Sequence, residues 1–154
     1  DLGFMTDEVI ELRERTGFPG MKILQFAFNP DDESIDSPHL APNNSVMYTG
    51  THDNDTLCGW YKVLDPEDLK LSQKYMNNAN TPKRQIHWDF IRLALASVAD
   101  LCIIPLQDYL GLGSEARINT PSTLGNNWRW RMTQGCLTKE LADQIRELTT
   151  LYGR

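Results

Sequence analysis

The sequence predicts an α/β fold built on parallel strands, with its chemistry at a strand tip. Three observations point there. Short apolar runs over 21–28, 45–50 and 101–106 have strand length and are bounded by turn-forming residues. Stretches of helical spacing separate them, which implies parallel pairing through right-handed crossovers. The middle run ends in Gly50-Thr51-His52-Asp53-Asn54-Asp55-Thr56, a cluster of polar and ionisable groups at the position where α/β barrels build their active sites. Three parallel strands leave both outer strands with unpaired backbone groups, so the chain reads as part of something larger.

The elements follow in order. Thr6 can cap a helix whose first turn carries Asp7 and Glu8, favourable at the positive end of the dipole, with Val9 and Leu12 facing inward. Gly17 and Pro19 stop it. Residues 21–28, Met-Lys-Ile-Leu-Gln-Phe-Ala-Phe, form a buried strand between Pro19-Gly20 and Asn29-Pro30. Residues 29–45, crowded with Asn, Asp, Ser and Pro, form a long surface loop. A strand over 45–50 then delivers the His-Asp cluster to a short helix over 56–63.

Asp65 before Pro66 is a cap and first-turn signature for a helix to about Met76. Thr81-Pro82 repeats it for a longer amphipathic helix to about Ala99, with Ile86, Phe90, Leu93 and Val98 on one face. The third strand, 101–106, leads into an irregular stretch from Gln107 to about Gly135. Leu141, Ile145, Leu148 and Tyr152 have the spacing of a closing helix over 138–152.

Composition narrows the function. The 154 residues are 40% hydrophobic, enough for one core, and carry 15 Lys+Arg against 21 Asp+Glu with no basic block, which argues against nucleic acid as a partner. Cys58, Cys102 and Cys136 show no paired spacing, so neither a disulfide framework nor a zinc knuckle is supported, and a reducing, cytoplasmic setting fits. No apolar run approaches the roughly 20 residues of a membrane span. The start without Met, Asp1-Leu2-Gly3, suggests a cut piece.

Each candidate constellation has a plain alternative. His52, Asp53 and Asp55 have the donor types for a metal, but adjacent strand positions point to opposite faces, so His52 and Asp53 share an ion only if the chain turns between them. Asp55 or Asn54 can instead cap the following helix, and the cluster as a whole can be a loop of turn formers. Trp128 and Trp130 flank Arg129; paired indoles stack on sugars, and more often fill a core, which is the reading adopted. Gly111-Leu112-Gly113 lacks the spacing of a dinucleotide loop and is a turn, and Ser122 and Thr123 lack a nucleophile-elbow setting. Asn119 offers donor and acceptor together, as vicinal sugar hydroxyls require, or simply stabilises a turn.

A family resemblance runs over essentially the whole chain. Asp1-Leu2-Gly3, the run from Gly20 to Phe28, Tyr48-Thr49-Gly50-Thr51-His52-Asp53-Asn54-Asp55-Thr56, and Gly113-Ser114-Glu115-Ala116-Arg117-Ile118-Asn119-Thr120-Pro121 with Trp128-Arg129-Trp130-Arg131 resemble, in that order, the C-terminal portion of the 4-α-glucanotransferases, or amylomaltases. Residues 125–128 depart from the family pattern, carrying two asparagines where it has one, and neither Asn126 nor Asn127 is given a role.

The resemblance implies about the last three β/α units of a TIM (β/α)8 barrel of the α-amylase clan, acting on α-1,4-glucans without a cofactor or metal. Retaining transfer of this kind uses two carboxyl groups about 5 Å apart. In the family the nucleophilic Asp lies on an earlier strand and the acid/base Glu directly before Asp-Leu-Gly, so the chain alone is expected to be inactive. The residue carried over as transition-state stabiliser is Asp53, with His52, Asp1, Phe26 and Asn119 as substrate contacts: His52 on the same sugar, Phe26 as a stacking platform, Asn119 farther along the groove and Asp1 near the acceptor. Alternatives are an α-glucan hydrolase of the same clan and a non-enzymatic glucan-binding module. No membrane partner is implied, and exposed strand edges predict self-association of the isolated chain.

Overall fold

A computed structural model describes residues 5–29 and 36–154; Asp1 lies outside the described residues. Helix α1 (Asp7–Thr16) leads to β1 (Gly20–Ile23), β2 (Ser45–Tyr48), α2 (Leu57–Val63), α3 (Pro66–Tyr75), α4 (Ile86–Leu95), β3 (Leu101–Ile103), α5 (Leu106–Tyr109) and α6 (Lys139–Leu151). The three strands form one parallel sheet in the order β1-β2-β3. Ile23, Tyr48 and Ile103 lie in one row across it, and Lys22, Met47 and Cys102 in the row before.

The sheet has one closed and one open face. On the closed side Met47 packs with Leu24, Phe28, Leu57, Phe90, Ile91 and Ala94 in a core of fully or nearly fully buried side chains. Phe90 meets the rings of Phe28, Trp60 and Tyr61 edge-on at 5.7, 5.1 and 5.8 Å, a preferred geometry for aromatic quadrupoles. On the open side Met21, Ile23, Tyr48 and Ile103 line a hollow of about 890 Å³.

Local signals set several helix ends. Gly17 closes α1 in the left-handed conformation at φ 70°, returning its N–H to Arg13 and Glu14 carbonyls. The Asp65 carboxylate accepts from the Glu67 N–H, with Pro66 in the first turn of α3. Thr138 caps α6 by accepting from Leu141 N–H. The Arg154 guanidinium donates to the carbonyls of Leu95, Ser97 and Ala99, groups that the end of α4 leaves without helical partners.

Several expected boundaries shift. The run 21–28 is strand only to Ile23, because a 3-10 turn over Leu24–Phe26 breaks the alternation; Leu24 and Phe28 both enter the core while Phe26 turns out. The third strand likewise stops at Ile103, and Pro105 opens the one-turn α5. Helix α4 starts at Ile86, not near Thr81, whose hydroxyl is engaged with the Asp89 carboxylate. It ends at Leu95, leaving Val98 exposed and outside the helical face. No residue of α1 is buried and Leu12 is exposed, since Ile10 and Arg13, not Leu12, face the hollow.

Candidate active site

Parallel strands bring all their C-terminal ends to one edge, and the candidate residues collect there. Past the tip of β2 the chain turns: Asn54 Oδ1 accepts from both the N–H and the hydroxyl of Thr51, at 2.9 and 2.8 Å, pulling residues 51–54 into a compact loop. That turn removes the strand alternation that would separate His52 from Asp53. The imidazole Nε2 lies 3.3 Å from Asp53 Oδ1, with the two side chains 54% and 46% exposed. An ion pair forms there whenever the imidazole is protonated.

A second segment, distant in sequence, straps this loop. Asn119 donates its side-chain amide to Asp53 Oδ1 at 2.6 Å and its backbone N–H to the His52 carbonyl at 3.0 Å. Arg117 donates to the Asp53 carbonyl at 2.6 Å and to the Asn119 carbonyl at 2.9 Å. The Trp128 ring lies on His52 with centroids 5.2 Å apart and planes 33° from parallel. One oxygen of Asp53 is thus held by Asn119 and His52, while Oδ2 carries no hydrogen bond among the described residues. An oriented carboxylate with an open oxygen can accept from ligand hydroxyls.

Two expectations change at this rim. Trp128 is not core: it is 59% exposed, at φ 63°, a left-handed conformation costly for a bulky residue. Its N–H donates to the Ile118 carbonyl at 2.7 Å, and Arg131 donates to its carbonyl, which hold the unusual backbone. Trp130 is only half-buried. The cap of α2 is neither Asp55 nor Asn54 but Thr56, whose hydroxyl accepts from Gly59 N–H at 3.1 Å. Asp55 instead takes the Ser114 hydroxyl at 2.6 Å, and Asn54 closes the Thr51 turn.

Asn127, left without a role by its sequence, shapes the strap. Its Oδ1 accepts from Thr120 N–H at 3.0 Å and its amide donates to the Thr123 carbonyl and hydroxyl, both at 3.1 Å. Arg117 and Asn127 were both missed as site-shaping residues; the family-like stretch around them was the available signal. Phe26, 53% exposed, lines the same hollow as His52 and Asp53 from the β1 side of the rim. Asn119 bonds directly to Asp53.

Other chemistries find less support. No group of three or more His, Cys, Asp or Glu side chains is placed to hold a metal ion among the described residues. Burial raises the thiol pKa of Cys58, and that of Cys102 to about 11, so neither is primed as a nucleophile. No described helix is long and apolar enough to cross a membrane.

Comparison with known proteins gives this arrangement a family. The 4-alpha-glucanotransferase family model matches residues 1–138. Over its full length the chain is 57% identical to a 4-alpha-glucanotransferase of Streptococcus pneumoniae and 48% identical to one of Clostridium butyricum, covering 30% and 31% of those proteins. It is 46% identical to a chloroplastic/amyloplastic 4-alpha-glucanotransferase of Arabidopsis thaliana, of which it covers 27%. The chain therefore spans about a third or less of the length of the curated relatives it matches. Its fold superposes over 100% of its length on 31% of the amylomaltase from Streptococcus agalactiae in complex with acarbose, with a TM-score of 0.92 and 37% identity. The amylomaltase of Corynebacterium glutamicum shares the fold at a TM-score of 0.69 and 14% identity. A parallel α/β sheet with a strapped His-Asp loop at its C-terminal edge, matched by this family along nearly its whole length, places the chain in the 4-alpha-glucanotransferase family.

Proposed function

We propose that this chain is the C-terminal portion of the catalytic (β/α)8 barrel of a 4-α-glucanotransferase, which moves α-1,4-glucan segments between chains by a retaining double displacement. One observation carries the reading: Asp53, at the C-terminal rim of a parallel sheet, has one carboxylate oxygen bonded by the Asn119 amide and 3.3 Å from the His52 imidazole, and it lines a hollow that Phe26 also lines. Such a carboxylate can accept from the hydroxyls of the sugar whose bond breaks. Those hydrogen bonds strengthen as oxocarbenium character develops, so they stabilise the transition state more than the bound substrate.

By family resemblance the nucleophile and the acid/base lie upstream of Asp1, and Asp1 stands near the acceptor. His52 contacts the same sugar as Asp53, Phe26 offers an exposed ring for the apolar face of a pyranose, and Asn119 fixes the carboxylate as well as offering its own amide. The open sheet face, with Tyr48 and Ile103 toward the hollow, is where the remaining strands of the barrel would close. Without them it favours self-association of the fragment. Three free cysteines, the two thiols above among them, support a reducing, cytoplasmic setting.

Incubating the full-length protein with maltotriose tests the activity. Transfer yields glucose together with longer oligomers. Glucose and maltose alone would mean that water is the acceptor and the enzyme a hydrolase, and no turnover would reduce the site to glucan binding.

A further inference from the structure

Asp108, on α5 just beyond β3, is almost completely buried yet belongs to no surface of the hollow. Its Oδ2 accepts the Thr49 hydroxyl at 2.6 Å, and its Oδ1 accepts the Leu57 N–H at 2.8 Å. Thr49 is the residue after β2 and Leu57 the first of α2, both fully buried, so the two bonds grip the stems of the loop 50–56 that carries His52 and Asp53. We propose that Asp108 is a positioning residue for glucan transfer, pinning both ends of the sugar-binding loop to the β3 side of the barrel; this rests on the functional reading given above.

The surroundings show why a carboxylate suits the place. Two donors converge from different elements, and one planar acceptor with two oxygens satisfies both; each would otherwise be buried without a partner. A further tie lies nearby, where Ser114, six residues after Asp108 and beyond α5, donates to Asp55 within the loop. Gln25 holds the Asp55 carbonyl from the β1 side at 2.8 Å. Loop 50–56 is therefore tied to strand ends on both of its flanks, and Asp108 is the tie that reaches both stems. Burial is also expensive for this carboxyl, lifting its pKa from 3.8 to about 6 against the lowering effect of the Thr49 and Leu57 bonds, with Asp55 adding to the rise. The two bonds to Thr49 and Leu57 offset part of that cost.

The Asp53 carboxylate must meet its sugar hydroxyls within a few tenths of an ångström, and misplacement of about 1 Å costs on the order of a hundredfold in rate. In the full-length enzyme, Asp108→Ala is expected to lower kcat with maltotriose about 30- to 100-fold while KM moves less than about threefold, because the loop still forms but no longer holds its aim. Asp108→Asn, whose amide accepts from Leu57 N–H and donates to Thr49, should recover kcat to within about threefold of the parent. Melting temperatures are recorded beside the kinetics, and the assay is run well below them.

A lowered melting temperature with unchanged kcat would make Asp108 purely structural and overturn the proposal. If Asp108→Ala does not fold, Thr49→Val decides: it keeps the shape and removes one bond, and a fall in kcat of about fivefold supports the positioning role, whereas no fall refutes it. A parent enzyme that fails to transfer at all sinks the functional reading, and this proposal with it; a transferring parent with unaffected variants sinks this proposal alone.

Discussion

The two faces of the sheet differ in what holds them. The closed face is dry and aromatic, with Phe28, Phe90, Trp60 and Tyr75 locked ring against ring and α4 laid across Met47. The open face has apolar side chains toward an unfilled hollow, and its order comes from the rim, where polar bonds between 51–55 and 114–128 replace packing. Apolar burial is non-directional and sets stability. Hydrogen bonds are directional and set the aim of a side chain. Fold strength and site geometry therefore come from separate regions, and substitutions should separate them.

The largest effect is expected on the closed face. Phe90→Ala removes a fully buried ring from the centre of the aromatic cluster and should destabilise the full-length protein by about 3–5 kcal/mol in denaturant titration, with kcat nearly intact where the protein remains folded. Equal losses in stability and kcat would erase the division between faces.

The pH dependence of stability comes next. Because burial raises the Asp108 pKa from 3.8 to about 6, the folded chain holds a proton that the unfolded chain has released. Stability from this group is present at low pH and declines as pH rises through about 4 to 6, by about 3 kcal/mol in all. Asp108→Asn cannot ionise, so its stability relative to the parent should improve by that amount between pH 3.5 and pH 7.5. A constant difference across the range would show that Asp108 is not strained by its charge.

At the rim, Asp53→Asn should lower turnover by at least about two orders of magnitude and leave the melting temperature nearly unchanged, since the side chain is half exposed and supports no core. An unchanged rate would remove Asp53 from the transition state. Asn119→Ala should cost less, about tenfold in kcat, because Asp53 survives but loses the 2.6 Å bond that orients it. If KM rose instead with kcat constant, Asn119 would serve as a sugar contact rather than an orienting group.

Signals acting within a few residues were the legible ones. Gly17, Asp65-Pro66 and Thr138 mark helix ends and do so in the structure, with φ 70° at Gly17 and side-chain caps at Asp65 and Thr138. Apolar runs located all three strands, and the crossovers between them implied the parallel pairing that the sheet shows. Boundaries failed where a distant partner competed with a local rule: Thr81 reads as a cap but is taken by Asp89, and Leu24 and Phe28 leave strand geometry because both are drawn into the same core. Trp128 reads as core from its sequence because an indole is large and apolar, a property of the residue alone that says nothing of its neighbour His52.

By itself, then, the sequence determined the order and kind of the elements, the polar tip after β2 and membership of a family, since propensity, capping and motif are written in contiguous residues. The grip of Asn119 on Asp53 across 66 positions, and the reach of Asp108 to Thr49 across 59, came from the tertiary fold alone. Spacing along a chain carries no record of such meetings. They exist because parallel strands deliver their tips to a single edge, where donors and acceptors far apart in sequence become each other's nearest partners.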